Sequence, residues 1–133
     1  MQLAVRDAIV AQLNANYVAA YPTVPVVFDN GPFDWNDPPD NFVEIDIEFL
    51  AGHQIGAAWA PKTRVSGCVY IASYSRVGIG TRVALGVIDW FSQALEYKTF
   101  SRIHMQAADP QGKTNGKGWY IEQLKVAFYA DPP

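Results

Sequence analysis

The first stretch of the chain, "MQLAVRDAIVAQLNANYVAAY", repeats apolar residues at four-residue spacing: Val5, Ile9, Leu13 and Tyr17, with Ala8 and Ala20 beside them. That period predicts one amphipathic helix, ended by Pro22. "VPVVFDNG" then reads as a short strand closing on an Asn-Gly turn. "PFDWNDPPD" reads as a rigid, irregular loop, because its three prolines fix φ and remove donors. The period changes to two in "NFVEIDIEF", where Val43, Ile45, Ile47 and Phe49 point one way and Glu44, Asp46 and Glu48 the other. Strict alternation of this kind is the mark of a half-buried strand.

"LAGHQIGAAWAP", Leu50 to Pro61, has no period and holds two glycines and a proline, which predicts a long mobile loop. A second strand is expected over "RVSGCVYIA", Arg64 to Ala72. A glycine turn follows, and then a long helix whose broad apolar face carries Ile79, Val83, Gly86, Val87, Trp90, Phe91, Ala94 and Leu95. "FSRIHMQAADP" predicts a third long strand, "QGKTNG" a turn, and "KGWYIEQLKVAFY" a fourth strand in a hairpin with it. The order predicts an α+β fold: an antiparallel, twisted sheet with an N-terminal helix and a long second helix packed on one face. No internal repeat or linker divides residues 1–133, so one domain is expected.

Composition narrows the function. Hydrophobic residues make up 50% of the chain and charged residues only 17%, a balance that excludes a disordered segment. The net charge is −3, and the ten Lys and Arg are scattered from Arg6 to Lys125. Without a basic run, direct recognition of nucleic acid is not expected. The single cysteine, Cys68, excludes an intrachain disulfide and a multi-thiolate metal site, and its apolar surroundings mark it as a buried, inert thiol. A reducing compartment is expected. The N-terminal segment lacks the basic start and apolar run of a signal peptide, and no stretch approaches the roughly 18 apolar residues of a membrane span.

Several motifs invite a chemical reading and fail it. "SYSRVGIGTRVALGVIDWF" opens like a nucleotide site, a strand followed by a glycine turn and a helix, yet Val83 stands where a dinucleotide fingerprint needs its third glycine, and no Gly-Lys-Ser/Thr occurs. Gly78 and Gly80 are therefore expected only to reverse the chain. Glu44, Asp46 and Glu48 place three carboxylates about 6.5–7 Å apart on one strand face, a spacing open to acid–base work or a divalent ion but commoner in a solvated or subunit-contact face. "DWNDPPD" gathers Asp34, Asn36, Asp37 and Asp40, but Pro38 and Pro39 break the calcium-loop pattern. His53 and His104 have no metal-helix spacing, and Glu122 and Lys125 stand three apart rather than the two a nuclease strand wants. Ser66, Ser73 and Ser75 lack a nucleophile elbow. No catalysis, cofactor or metal is expected. Loop aromatics and an all-acid strand face point instead to assembly, with Glu44, Asp46, Glu48, Ile55, Trp59, Arg64, Arg76 and Arg82 as interface candidates.

The order of these segments resembles the tail-terminator family of long-tailed bacteriophages over nearly the whole chain. The likeness rests on the N-terminal helix leading to "VPVVFDN", on "FVEIDIEF", the glycine-rich loop, "RVSGCVYI" with its Arg-x-x-Gly, "VGIGTRVALGVIDWF" and the closing "GWYIEQLKVAFY". It implies an α+β subunit of the virion tail, assembled in the host cytoplasm. Such subunits form a ring, commonly a hexamer, on the last ring of tail tube protein, end tube growth and offer a surface to the head–tail connector protein. The resemblance implies no catalysis and no cofactor. Another tail-completion or neck protein, and a small-ligand-binding enzyme on a cone-shaped α+β fold, are the alternative expectations.

Overall fold

The computed structural model describes residues 1–28, 31–50, 53–55 and 62–132. Its elements run α1 (Gln2–Asn14), α2 (Tyr17–Ala20), β1 (Val26–Phe28), β2 (Asn41–Phe49), β3 (His53–Ile55), β4 (Lys62–Arg76), α3 (Arg82–Leu95), β5 (Thr99–Phe100), β6 (Ile103–Gly116) and β7 (Trp119–Ala130). The fold is mixed α+β, with a curled sheet ordered β1-β2-β4-β7-β6-β5 and β3 paired to β4 off that path.

The expected N-terminal helix is two helices, because Asn16 adopts a left-handed backbone (φ 66°) that stops α1 and starts α2. The sheet is not wholly antiparallel. β1 runs parallel to β2, with Val26 opposite Val43, since the long segment between them returns the chain in the same direction. β2 spans the nine residues that alternation predicts, but β4 is longer than expected and pairs along its length with β2 and β7. Within the expected loop Leu50 to Pro61, His53–Ile55 is a strand paired with β4; much of that loop, Trp59 included, lies outside the described residues.

"QGKTNG" is not the turn. It continues β6, whose register shifts between Met105 and Ala108 and again between Pro110 and Gly112 absorb a proline and a left-handed glycine. The chain reverses one step later at Lys117 and Gly118, whose φ values of 50° and 87° suit a two-residue hairpin turn between paired Gly116 and Trp119. Helix α3 begins at Arg82, later than its apolar period suggests. Gly78 (φ 99°) and Gly80 (φ 86°) hold the preceding turn in conformations that favour glycine, so Ile79 lies outside the helix and is exposed.

One cluster of buried side chains joins the elements. Val5, Ile9, Leu13 and Tyr17 meet Val87, Ile88, Phe91 and Leu95, and with them Val43, Ile45, Ile47, Val69, Ile71, Leu124 and Val126 from the strands. Val83 is exposed, and Ala84 and Ile88 are buried in α3 where the sequence reading had not placed them. Tyr17 anchors the corner: its ring stacks on Phe91 at 5.1 Å, and its hydroxyl donates to the Val24 carbonyl at 2.9 Å.

Candidate interaction surface on the outer face of the sheet

Because side chains alternate along a strand, the residues that enter the core from β2, β4 and β7 leave their neighbours on the opposite face. Register places Phe42 opposite Tyr74, Glu44 opposite Ala72, Asp46 opposite Tyr70 and Glu48 opposite Cys68, with Trp119, Gln123, Lys125 and Tyr129 of β7 across from β4. The three expected carboxylates therefore share this face: Asp46 and Glu48 are exposed and Glu44 is half-buried.

The middle of the face is an acid and tyrosine floor. A depression of about 260 Å³ is bounded by Glu44, Asp46, Tyr70, Tyr74, Gln111 and Gln123. Partial burial, then the adjacent Cys68 thiol and Glu48 carboxylate, push the Tyr70 phenol above its ordinary range. Burial, then the Glu44 charge, does the same for Tyr74. The Lys125 ammonium lies 5.8 Å from the centre of the Tyr70 ring.

Each end of the face is closed by an arginine that the sequence had marked as an interface candidate. At one end residues 31–42 fold back so that Phe42, which is 0% exposed, sits among Phe33 (4.8 Å), Trp35 (5.6 Å), Trp119 (5.1 Å) and the stacked Tyr74 ring (4.4 Å, 10°). Arg76 tethers this cluster, donating to Asp40 at 2.8 Å and to the Pro38 carbonyl at 3.0 Å while lying over Trp119. At the other end Arg64 lies over Tyr129 and donates to Asp131 at 3.0 Å, and His104 stacks on Tyr129 with its Nε2 3.1 Å from the same carboxylate. Within this chain Arg64 and Arg76 thus bind Asp131 and Asp40, carboxylates outside the acidic strand.

Arg82 is not on this face. It is the exposed first residue of α3. Ile55 is placed as the last residue of β3, and Trp59 lies outside the described residues. The aromatic cluster around Phe42 escaped the sequence reading, although "NFVEIDIEF" already put Phe42 on the acids' side of the strand and "PFDW" supplied its covers. Among the described residues no group of three or more His, Cys, Asp or Glu side chains could hold a metal ion, and no helix is long and apolar enough to cross a membrane.

No family model and no curated protein matches the chain. A solved protein structure is similar over 100% of this chain and 97% of its own length, with a TM-score of 0.77 at 16% identity. A likeness at that identity establishes the fold and carries no activity with it.

Proposed function

We propose that this chain is a structural subunit of a bacteriophage tail that closes into a ring, most simply a hexamer, caps the tail tube, ends its polymerisation and presents the surface that joins the head. In this reading the N-terminal helices and α3 cover one face of the sheet, and the outer face and its rim make the contacts. The observation that carries it is the outer face itself: three carboxylates beside tyrosines, between two arginine-tethered ends. A face of mixed charge with rigid aromatic anchors suits a protein contact. The resemblance in segment order to tail terminators supplies the assembly.

An enzyme with a cone-shaped α+β fold would need an apolar pocket between sheet and helix with an acid or histidine at its base. Here the corresponding positions are fully buried apolar residues, Ile45, Ile71, Phe91, Leu95 and Leu124, and the acids face the other way. That favours assembly over catalysis, with self, tail tube protein and head–tail connector as partners and no cofactor. Another tail-completion or neck protein would share the same surface chemistry. Light scattering and negative-stain images, on concentrated protein and on protein mixed with purified tails, test the reading. Closed rings, free or on tube ends, support it; a monomer under every condition rejects it.

A further inference from the structure

Helix α3 carries a second surface that the outer face does not use. Its buried residues Ala84, Val87, Ile88, Phe91 and Leu95 define one side. At 100° per residue, the stripe of Arg82, Leu85, Gly86 and Asp89 is centred about 150° round the helix from that side, with the i, i+3, i+4, i+7 spacing along which two helices pack. All but the half-buried Gly86 are exposed, and Leu85 shows 47% of its surface to solvent. A shallow depression lies along this stripe, bounded by Tyr21, Arg82, Val83, Leu85, Gly86 and Asp89; the Tyr21 hydroxyl covers Gly86, 3.0 Å from where a Cβ would stand. Among the described residues neither Arg82 nor Asp89 has an ion-pair partner.

The stripe is complementary to itself. Positions 82 and 89 lie equally far from the midpoint of 85 and 86. An antiparallel copy of α3 laid across that midpoint therefore puts Arg82 against Asp89 of the second copy, Asp89 against its Arg82, and each Leu85 toward the depression beside the other's Gly86. Both ion pairs and both leucine contacts form in one register, as a two-fold contact requires. A parallel copy in register would set arginine against arginine and aspartate against aspartate.

We propose that α3 is a homotypic docking surface that pairs this chain with a second copy through an antiparallel, two-fold α3–α3 contact. The contact closes at two and leaves the outer sheet face open. It does not rest on the ring reading: it doubles whatever species is present, a monomer to a dimer or one ring to two rings back to back. A single helix stripe is smaller than the roughly 800 Å² per partner of a standard interface, so the pairing is weak and shows only on concentrated protein.

Charge reversal with rescue tests it, read as mass by sedimentation equilibrium on concentrated protein. Arg82→Asp puts an acid in the first helical turn, which favours the helix, and Asp89→Arg changes an exposed position, so both variants fold. Each alone sets like charges against each other twice and weakens the doubling by about tenfold. The double variant, and an equimolar mixture of the two single variants, recover it. Wild-type protein that never doubles overturns the proposal. So does a double variant no better than the singles, which would assign Arg82 to another surface or partner. Ring closure is read separately from the number of subunits in the undoubled species, so either inference can fail while the other stands.

Discussion

Gly67 of β4 faces the ring of Phe128 on β7, and a Cβ built on Gly67 would lie 2.8 Å from that ring and collide with the Glu48 carbonyl oxygen of β2. The glycine of the Arg-x-x-Gly segment is thus a packing requirement between three strands. Gly67→Ala must displace backbone on one side or a core aromatic on the other, and is expected to cost about 1–3 kcal/mol. Denaturant titration checks this; an unchanged midpoint would mean that the sheet yields there freely.

Phe42 holds residues 31–42 against the outer face through four aromatic neighbours. Phe42→Ala should cost about 3–5 kcal/mol. Trp35 is already 55% exposed and should become more so, seen as a red shift of tryptophan emission together with Trp119. A large loss of stability with unchanged emission would place the cost elsewhere.

Tyr17 gives the fold an alkaline limit. Burial, then neighbouring Tyr21, raises its phenol well above the ordinary 10.0. In the unfolded chain the phenol ionises near 10, while in the folded chain it keeps its proton, so the folded state binds more protons above that point. This contribution to stability is whole below pH about 10 and is lost as pH rises toward the folded value. Melting temperature should therefore fall steeply above pH about 10. Tyr17→Phe should lose about 1 kcal/mol at neutral pH with the hydrogen bond to Val24, and should show a shallower alkaline decline. An equally steep decline in that variant would move the limit to another group.

These three residues show where the sequence was legible. Strict alternation placed β2 to the residue and put its acids outside, because a strand half in water leaves a period of two. The N-terminal core positions Val5, Ile9, Leu13 and Tyr17 were equally plain. What misled was local chemistry overruled by tertiary contacts. "QGKTNG" looked like the turn, but β7 pairs so far along β4 that the hairpin closes at Lys117-Gly118. Asn16 broke a helix whose apolar period runs straight through it. The partners of Arg64 and Arg76, Asp131 and Asp40, lie 67 and 36 residues away in the chain, beyond the reach of any spacing rule.

Neutralising Glu44, Asp46 and Glu48 together as Gln should leave the subunit folded, since two of the positions are exposed and the third half-buried. Two readouts should move. The Tyr70 and Tyr74 phenols, held up partly by Glu48 and Glu44, should titrate at lower pH. Assembly should weaken, with a loss of its salt sensitivity. Shifted phenols with unchanged assembly would show a face that is solvated and not a contact.

The proposed role is tested most directly on the tube. Tail tube protein should be polymerised with and without this chain, and tube lengths and ends imaged by electron microscopy. A terminator predicts that tubes stop growing when it is added and that one closed ring of this chain sits on an end of each. Tubes that lengthen as before, with the chain free in solution and absent from their ends, would contradict the account.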